Sequence, residues 1–376
     1  MFQRLEKLFR ISSYLHEIYE CNRKFSRRIL QPSFSEKITK HSKQERFEPT
    51  GNRFKSAEIY DEISNNSECY KLKIESFDTP RSFHKFIKDS KFLSKVMIDM
   101  TLDKDNKLII LEGTRLINDA IKNQIRIKYL FFTSKSDLEQ IYGLDSLIKN
   151  EKTANDDGTK LIKVLYKDLK IYSSLITPPG FLAIAELPDQ SEIVAKYQHD
   201  GFPLILICDT LRDPGNLGTI LRTSVAAGIR KVILTKGCVD AWNPKVLKSA
   251  AGAHFRLQIE MKVDWNEIHS KLPERFDVYL ADSKTNLDHH TNDIKSSIYH
   301  HKKFFDDTRE KRAKILIIGN EAFGLSGQSY EFASKYNGER LRIPLYCDQE
   351  SLNSAMASSI IIYEIRKQFD ENDQNP

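Results

Sequence analysis

Three short stretches place reactive or ligand-binding side chains directly after apolar runs. Asp209 to Arg222 reads D-T-L-R-D-P-G-N-L-G-T-I-L-R and follows Leu204-Ile205-Leu206-Ile207-Cys208. Gly319 to Ser326 reads G-N-E-A-F-G-L-S and follows Ile315-Leu316-Ile317-Ile318. Asp348 to Asn353 reads D-Q-E-S-L-N and is reached from Leu341-Arg342-Ile343-Pro344. Together they offer Arg222, Asn216, Glu321, Ser351 and Asn353. An arginine grips phosphate through a bidentate fork, and amides, a carboxylate and a hydroxyl can orient a hydroxyl-bearing substrate. A G-x-G-x-x-G dinucleotide site is absent from the sequence. His289-His290 and His300-His301 are adjacent pairs that cannot share one helix face. With no cysteine or carboxylate frame around them, no metal site is expected.

The elements that must hold these loops can be read from the runs before them. Short β-branched apolar runs are buried strands, and Lys231–Thr235 and Asp277–Ala281 add two more. Pro214-Gly215 is a turn signal. Asn216 is expected to cap a helix over Leu217–Ala227, which puts Arg222 on its second turn. A bare turn and cap, with Arg222 on a solvated face, is the plain alternative. Three strand ends that each deliver Gly, Asn, Glu or Ser favour a site, because ligands of open α/β sheets bind beyond the carboxyl ends of the strands. A closing helix is expected over Asn353–Phe369. Its Met356, Ile360, Tyr363 and its Ile361, Ile365 recur at three-to-four spacing, so it should bury one face.

Upstream, Ser82–Leu187 alternates strand and helix signals, which gives a small α/β domain. Strands are expected at Lys107–Leu111, Tyr129–Phe132, Lys163–Tyr166 and Phe181–Ala185, with a helix at Leu116–Lys122. Residues 1–85 read as an appendage. Phe2, Leu5, Leu8 and Phe9 alternate with Arg4, Lys7 and Arg10, as in an organelle-targeting leader, although Glu6, Glu17 and Glu20 count against one. Residues 31–80 read as a flexible linker. The net charge is +6, and residues 1–90 hold 18 Lys and Arg against 13 Asp and Glu, so the excess sits at the front. An RNA partner of the folded part would then need a local basic patch. Five cysteines without a C-x-x-C pair argue for a reducing compartment and against structural zinc. No apolar run approaches the roughly 20 residues of a membrane span. Residues 286–313 are strongly polar and read as an exposed insertion, with Lys302, Lys303, Arg309, Lys311 and Arg312 as possible RNA contacts.

In order, N-x-G-x-x-x-R from Asn216, I-I-G-N-E-x-x-G-L-S from Ile317 and R-I-P-L…S-L-N-S-A-x-A from Arg342 resemble the three motifs of SpoU-type RNA 2′-O-ribose methyltransferases of the SPOUT superfamily. The resemblance implies an α/β catalytic domain over 200–370 with a mostly parallel, trefoil-knotted sheet, which works as a homodimer with the last helix near the interface. It implies S-adenosylmethionine as cofactor, at positions matching Gly319, Ile343 and Leu352. Ile343 and Leu352 would be apolar walls for the adenine, though core residues would look the same. It implies catalytic roles for Arg222, Asn216, Glu321, Ser351 and Asn353. Arg222 could bind the adjacent phosphate or assist deprotonation of the hydroxyl, and Glu321 could pair with it. Ser351 and Asn353 could hold a phosphate or the methionine carboxylate, and a simple cap is the alternative for Ser351. L-E-G-T-R-L-I-N-D-A and S-S-L-I-T-P-P-G-F-L-A-I resemble the L30e-like RNA substrate-binding domain that precedes many such catalytic domains, here over 86–190. Arg115 is then a candidate RNA contact, against a surface pair with Glu112. With the basic leader, the resemblance implies a mitochondrial enzyme acting on large-subunit rRNA. A tRNA ribose methyltransferase, a cytoplasmic location and a non-catalytic RNA-binding assembly factor are the alternatives.

Overall fold

The computed structural model describes residues 70–72, 84–88, 90–102, 108–142, 144, 158–196, 202–283, 294–305 and 312–373. The basic leader and most of the expected linker lie outside them, as do Arg309 and Lys311. In chain order the first part runs β1 (Tyr70–Leu72), β2 (His84–Lys88), α1 (Ser90–Leu102), β3 (Leu108–Glu112), α2 (Thr114–Lys122), β4 (Ile127–Phe132), α3 (Lys135–Leu138), β5 (Lys160–Lys163), α4 (Tyr166–Tyr172), β6 (Phe181–Glu186) and α5 (Gln190–Lys196). The second part runs β7 (Leu204–Cys208), α6 (Pro214–Ala226), β8 (Lys231–Thr235), α7 (Pro244–Ala250), β9 (Gln258–Val263), α8 (Trp265–Ile268), β10 (Phe276–Ala281), β11 (Ser296–Ile298), β12 (Ala313–Ile318), α9 (Gly327–Lys335), β13 (Glu339–Arg342) and α10 (Ser354–Asp373).

The first six strands form one mixed sheet in the order β1-β2-β5-β4-β6-β3. β1 and β2 extend it upstream of the expected domain start at residue 86, and β5 lies a few residues before its expected place. Alternation of side chains along each strand supplies two apolar faces. Phe131, Ile162, Leu182 and Ile184 pack with Leu93 of α1 and Leu169 of α4. Leu130, Phe132, Leu161 and Ala183 face the other way onto Ile117 of α2, and that core runs on into the second part.

The other seven strands form a wholly parallel sheet in the order β11-β13-β10-β12-β7-β8-β9. Parallel strands are covered on both faces, so they read as continuous apolar runs. Leu206, Val232, Leu316 and Ile318 face α6, α7 and α10, while Ile207, Ile233, Ile315 and Ile317 face α8 and α9. Each such side chain, fully removed from water, contributes about 1.5–3 kcal/mol. In register, Cys208 stands opposite Ile318, Ile318 opposite Ala281, and Ala281 opposite Leu341. Four neighbouring strands therefore end at one level, and the loops that leave them start side by side.

Part of the polar stretch is not an exposed insertion. β11 pairs with β13 as an edge strand, and Ile294 and Phe304 are buried. Lys302 pairs with Glu339, and Arg312 with Asp277. An edge strand needs one apolar face at most, so its polar composition hides it.

Candidate active site

The loop after β7 and the loop after β12 are sewn together by buried polar groups. Asp209 is fully buried, and its Oδ2 accepts the Ser326 N–H at 2.7 Å. Asn320 donates from Nδ2 to the Thr210 carbonyl at 2.8 Å. Its Oδ1 accepts the N–H groups of Ala322 and Phe323 at 2.9 and 3.1 Å. The backbones of Asn320 and Gly324 exchange two further hydrogen bonds, which close the loop on itself. A Cβ on Gly319 would stand 2.5 Å from the Gly324 carbonyl carbon and 2.6 Å from the Leu325 nitrogen, so only glycine fits there.

The cap of α6 is Asp213, not Asn216: its carboxylate accepts the Asn216 N–H at 2.7 Å, and Pro214 occupies the first helical position. Proline is favoured there because its missing N–H would have no helical partner. Asn216 is thereby freed to reach across loops. Its Nδ2 donates to Glu321 Oε1 at 2.8 Å, and its Oδ1 accepts from Asn353 Nδ2 at 2.8 Å. Ser354 Oγ also donates to Glu321 Oε1, at 3.3 Å. Asn353 caps α10 as well, accepting the N–H groups of Ala355 and Met356 at 2.9 and 3.3 Å. That excludes the simple cap for Ser351, which stands exposed two residues earlier. The three loops expected to converge do so through one directed chain, Asn353 to Asn216 to Glu321.

Beside this chain lies a cavity of about 650 Å³. Gly319, Ile343 and Leu352 all line it, as do Glu321, Ser351, Leu345 and Glu350. Behind it, Asp282 accepts from Tyr330 Oη at 2.8 Å and from Arg340 Nε at 2.9 Å, a buried network under the end of β10. Burial and the Asp282 carboxylate push the Tyr330 phenol up, so it remains a donor. Burial also pushes the thiols up, Cys208 well above its ordinary value and Cys238 to about 11, so neither is a nucleophile near pH 7.

Arg222 does not join Glu321. It is exposed and lines a different cleft, with Arg115, Lys122 and Arg256. Six residues after Asn216, at 3.6 residues per turn, it lies roughly 120° round the helix. Arg115 does not pair with Glu112 either: that carboxylate accepts from Ser173 Oγ and the Ser174 N–H. Among the described residues no group of His, Cys, Asp and Glu is placed to hold a metal. Asp209, Asp213 and Asn320 are positioning residues that the sequence reading passed over. Only Asp213 carried a signal, because Asp before Pro is the ordinary start of a helix.

Residues 203–363 match the SpoU rRNA Methylase family. The chain is 40% identical over 296 residues to rRNA methyltransferase 3A, mitochondrial, of Danio rerio, covering 71% of this chain and 65% of that protein. It is 37% identical over 295 residues to rRNA methyltransferase 3, mitochondrial, of Homo sapiens, covering 69% and 68%. To the 23S rRNA (guanosine(2553)-2′-O)-methyltransferase RlmP of Bacillus subtilis it is 27% identical over 266 residues, covering 70% and 90%. Among solved structures, the AdoMet-bound rRNA methyltransferase from Sinorhizobium meliloti superposes with a TM-score of 0.57 at 22% identity, covering 75% of this chain and 97% of that one. That likeness concerns the fold.

Proposed function

The chain belongs to the SpoU rRNA Methylase family, and we propose that it transfers a methyl group from S-adenosylmethionine to a ribose 2′-hydroxyl of mitochondrial large-subunit rRNA. The observation that carries this reading is the convergence of Asn216, Glu321 and Asn353 beside a cavity lined by Gly319, Ile343 and Leu352. The cavity has the size of a small-molecule site, which ordinarily runs to about 300–1,000 Å³. Ile343, Leu345 and Leu352 give apolar walls suited to an adenine, and Glu321 and Glu350 supply carboxylates that favour a cation such as a sulfonium. When bound, S-adenosylmethionine supplies an activated methyl on its sulfonium, so the protein's task is alignment and proton handling.

This chain's own residues divide that task. Glu321 is held through Oε1 by Asn216 and Ser354, which leaves Oε2 to accept a hydrogen bond from the ribose hydroxyl. Asn353 fixes Asn216 and thereby the carboxylate. Arg222 binds a substrate phosphate; an arginine keeps its proton, so deprotonation is not its part. The mitochondrial location follows the names of the Danio rerio and Homo sapiens relatives.

Dimer formation is supported by α10, which carries two apolar stripes. Ile361, Ile362 and Ile365 are buried in the protomer, while Met356, Ile360 and Tyr363 stay exposed along another face. An exposed apolar stripe of this kind marks an interaction surface, and a second copy supplies the same stripe. The six-stranded domain is assigned to RNA recognition, as an L30e-like module. Mapping 2′-O-methylation in mitochondrial and cytosolic rRNA and tRNA, with and without the protein, tests the reading. Loss of one mark in large-subunit rRNA is expected. Loss confined to a tRNA would transfer the assignment to the tRNA enzymes, and an unchanged map would end it.

A further inference from the structure

A second cavity, of about 590 Å³, separates α2 of the small domain from α6 of the large one. α2 presents Arg115, Asn118, Asp119 and Lys122 to it, spaced three, four and seven apart as one helix face. α6 presents Arg222, Val225 and Ala226. With Arg256, four cations and one carboxylate line the cleft. The carboxylate is already engaged. Arg256 donates to both oxygens of Asp119, from Nη1 at 2.7 Å and from Nη2. At Gly252, with φ of +84°, a Cβ would stand 1.9 Å from Asp119 Oδ2, so the backbone closes directly on this pair and holds the two domains together. Arg115, Lys122 and Arg222 have no acidic partner among the described residues.

Tyr142 also lines the cleft and is 78% exposed. Its position is fixed from below. Asn118 Oδ1 accepts the Tyr142 N–H at 2.9 Å, and Asn118 Nδ2 donates to the Gln140 carbonyl at 3.2 Å. The backbone that carries this exposed ring is thus anchored beside three unneutralised cations. A small anion would satisfy one or two of those cations and leave the ring unused. A polyanion of flat, stackable units uses all four groups, and basic grooves with aromatic platforms bind single-stranded nucleic acid in this way.

We propose that the cleft between α2 and α6 binds a single-stranded segment of the substrate RNA, with its phosphates on Arg115, Lys122 and Arg222 and one unpaired base stacked on Tyr142. The proposal deepens the ribose methyltransferase reading and rests on it for the identity of the RNA. It also gives Arg222 a reason to face away from Glu321.

The test uses the full chain and a fluorescent single-stranded RNA of about 12 nucleotides, within the range one such groove accommodates. Affinity is measured against salt for the wild type, Arg115→Gln, Lys122→Gln, Lys122→Arg and Tyr142→Ala. Each glutamine variant should reduce the slope of log K against log salt by about 0.7, and Lys122→Arg should restore it. Tyr142→Ala should weaken binding about tenfold with the slope unchanged. S-adenosylmethionine affinity, read by calorimetry, should stay at the wild-type value throughout. Unchanged slopes in both glutamine variants would overturn the proposal, as would full affinity in Tyr142→Ala or equal affinity for the same sequence as a duplex. If the wild type takes up no S-adenosylmethionine and methylates no RNA, the methyltransferase reading falls, while the salt slopes still decide the cleft.

Discussion

Asn353 performs two jobs with two different atoms, and a pair of substitutions separates them. Its Oδ1 caps α10 by accepting two backbone N–H groups, while its Nδ2 donates to Asn216 Oδ1 at 2.8 Å. Asn353→Ala removes both. Loss of an N-cap costs about 1 kcal/mol, which for a unit of this size lowers Tm by about 2–4 °C. Asn353→Asp keeps the cap, and a carboxylate at a helix N-terminus adds about 0.3–1 kcal/mol. It cannot replace the donor. An oxygen would then face Asn216 Oδ1, and rotating the Asn216 amide only moves the clash, because its oxygen would meet Glu321 Oε1. The chain is one proton short whichever way it is arranged.

Both variants should therefore lose turnover, by about 10- to 100-fold if Glu321 shifts by up to an ångström, while only Asn353→Ala loses stability. Asn353 does not itself line the cavity, so the Kd for S-adenosylmethionine should change little. The assay is single-turnover methylation of the rRNA with saturating cofactor, run beside thermal unfolding of the same preparations. Asn353→Asp with near-wild-type turnover would refute the orienting chain. Turnover falling in proportion to Tm in both variants would reduce Asn353 to a cap.

Arg222→Ala should lose most methyl transfer with S-adenosylmethionine binding intact, measured by turnover and calorimetry; its exposed side chain predicts a stability change within about 0.5 kcal/mol. Gly319→Ala forces a Cβ onto the Gly324 backbone, so it should cost about 1–3 kcal/mol and weaken cofactor binding more than tenfold in the same titration. His254 is fully buried between Trp242 and the Ala241 carbonyl, and burial pushes its pKa down to about 4 from 6.5. The unfolded chain takes the proton first, so stability is intact above about pH 6.5 and falls by up to ~3 kcal/mol as the pH drops through 4. Urea midpoints at pH 7 and 4.5 should differ less in His254→Gln than in the wild type. Asp119→Ala removes the carboxylate from a partly buried Arg256 and should cost about 2 kcal/mol, between the values for exposed and buried pairs; denaturant unfolding reads it.

The parts of this molecule that could be read from its residues are those where one physical demand dominates. A strand buried on both faces has to be apolar throughout, so β7, β10 and β12 announce themselves, and the loops that follow them had to meet once the strands were parallel and in register. Where two demands compete, composition alone leaves the choice open. Asp213 and Asn216 are both good caps, and the decision falls to Pro214, which tolerates only the first position and so moves the helix start three residues upstream. α10 buries one face as expected, but only part of its apolar set lies on that face: Ile361 and Ile365 go inside, while Met356, Ile360 and Tyr363 stay outside. β11 is polar because it is an edge. Arg222 is the most instructive case. Motif spacing puts it in the same line of letters as Asn216, but helix phase turns the two apart: Asn216 reaches Glu321 and Asn353 from the first turn of α6, while Arg222 lines the cleft beside α2 from the third. One helix that carries both Asn216, bonded to Glu321, and Arg222, in the cleft beside α2, fixes the distance between these two places, and on the proposed function that distance, more than any single contact, would determine which ribose along the strand reaches Glu321.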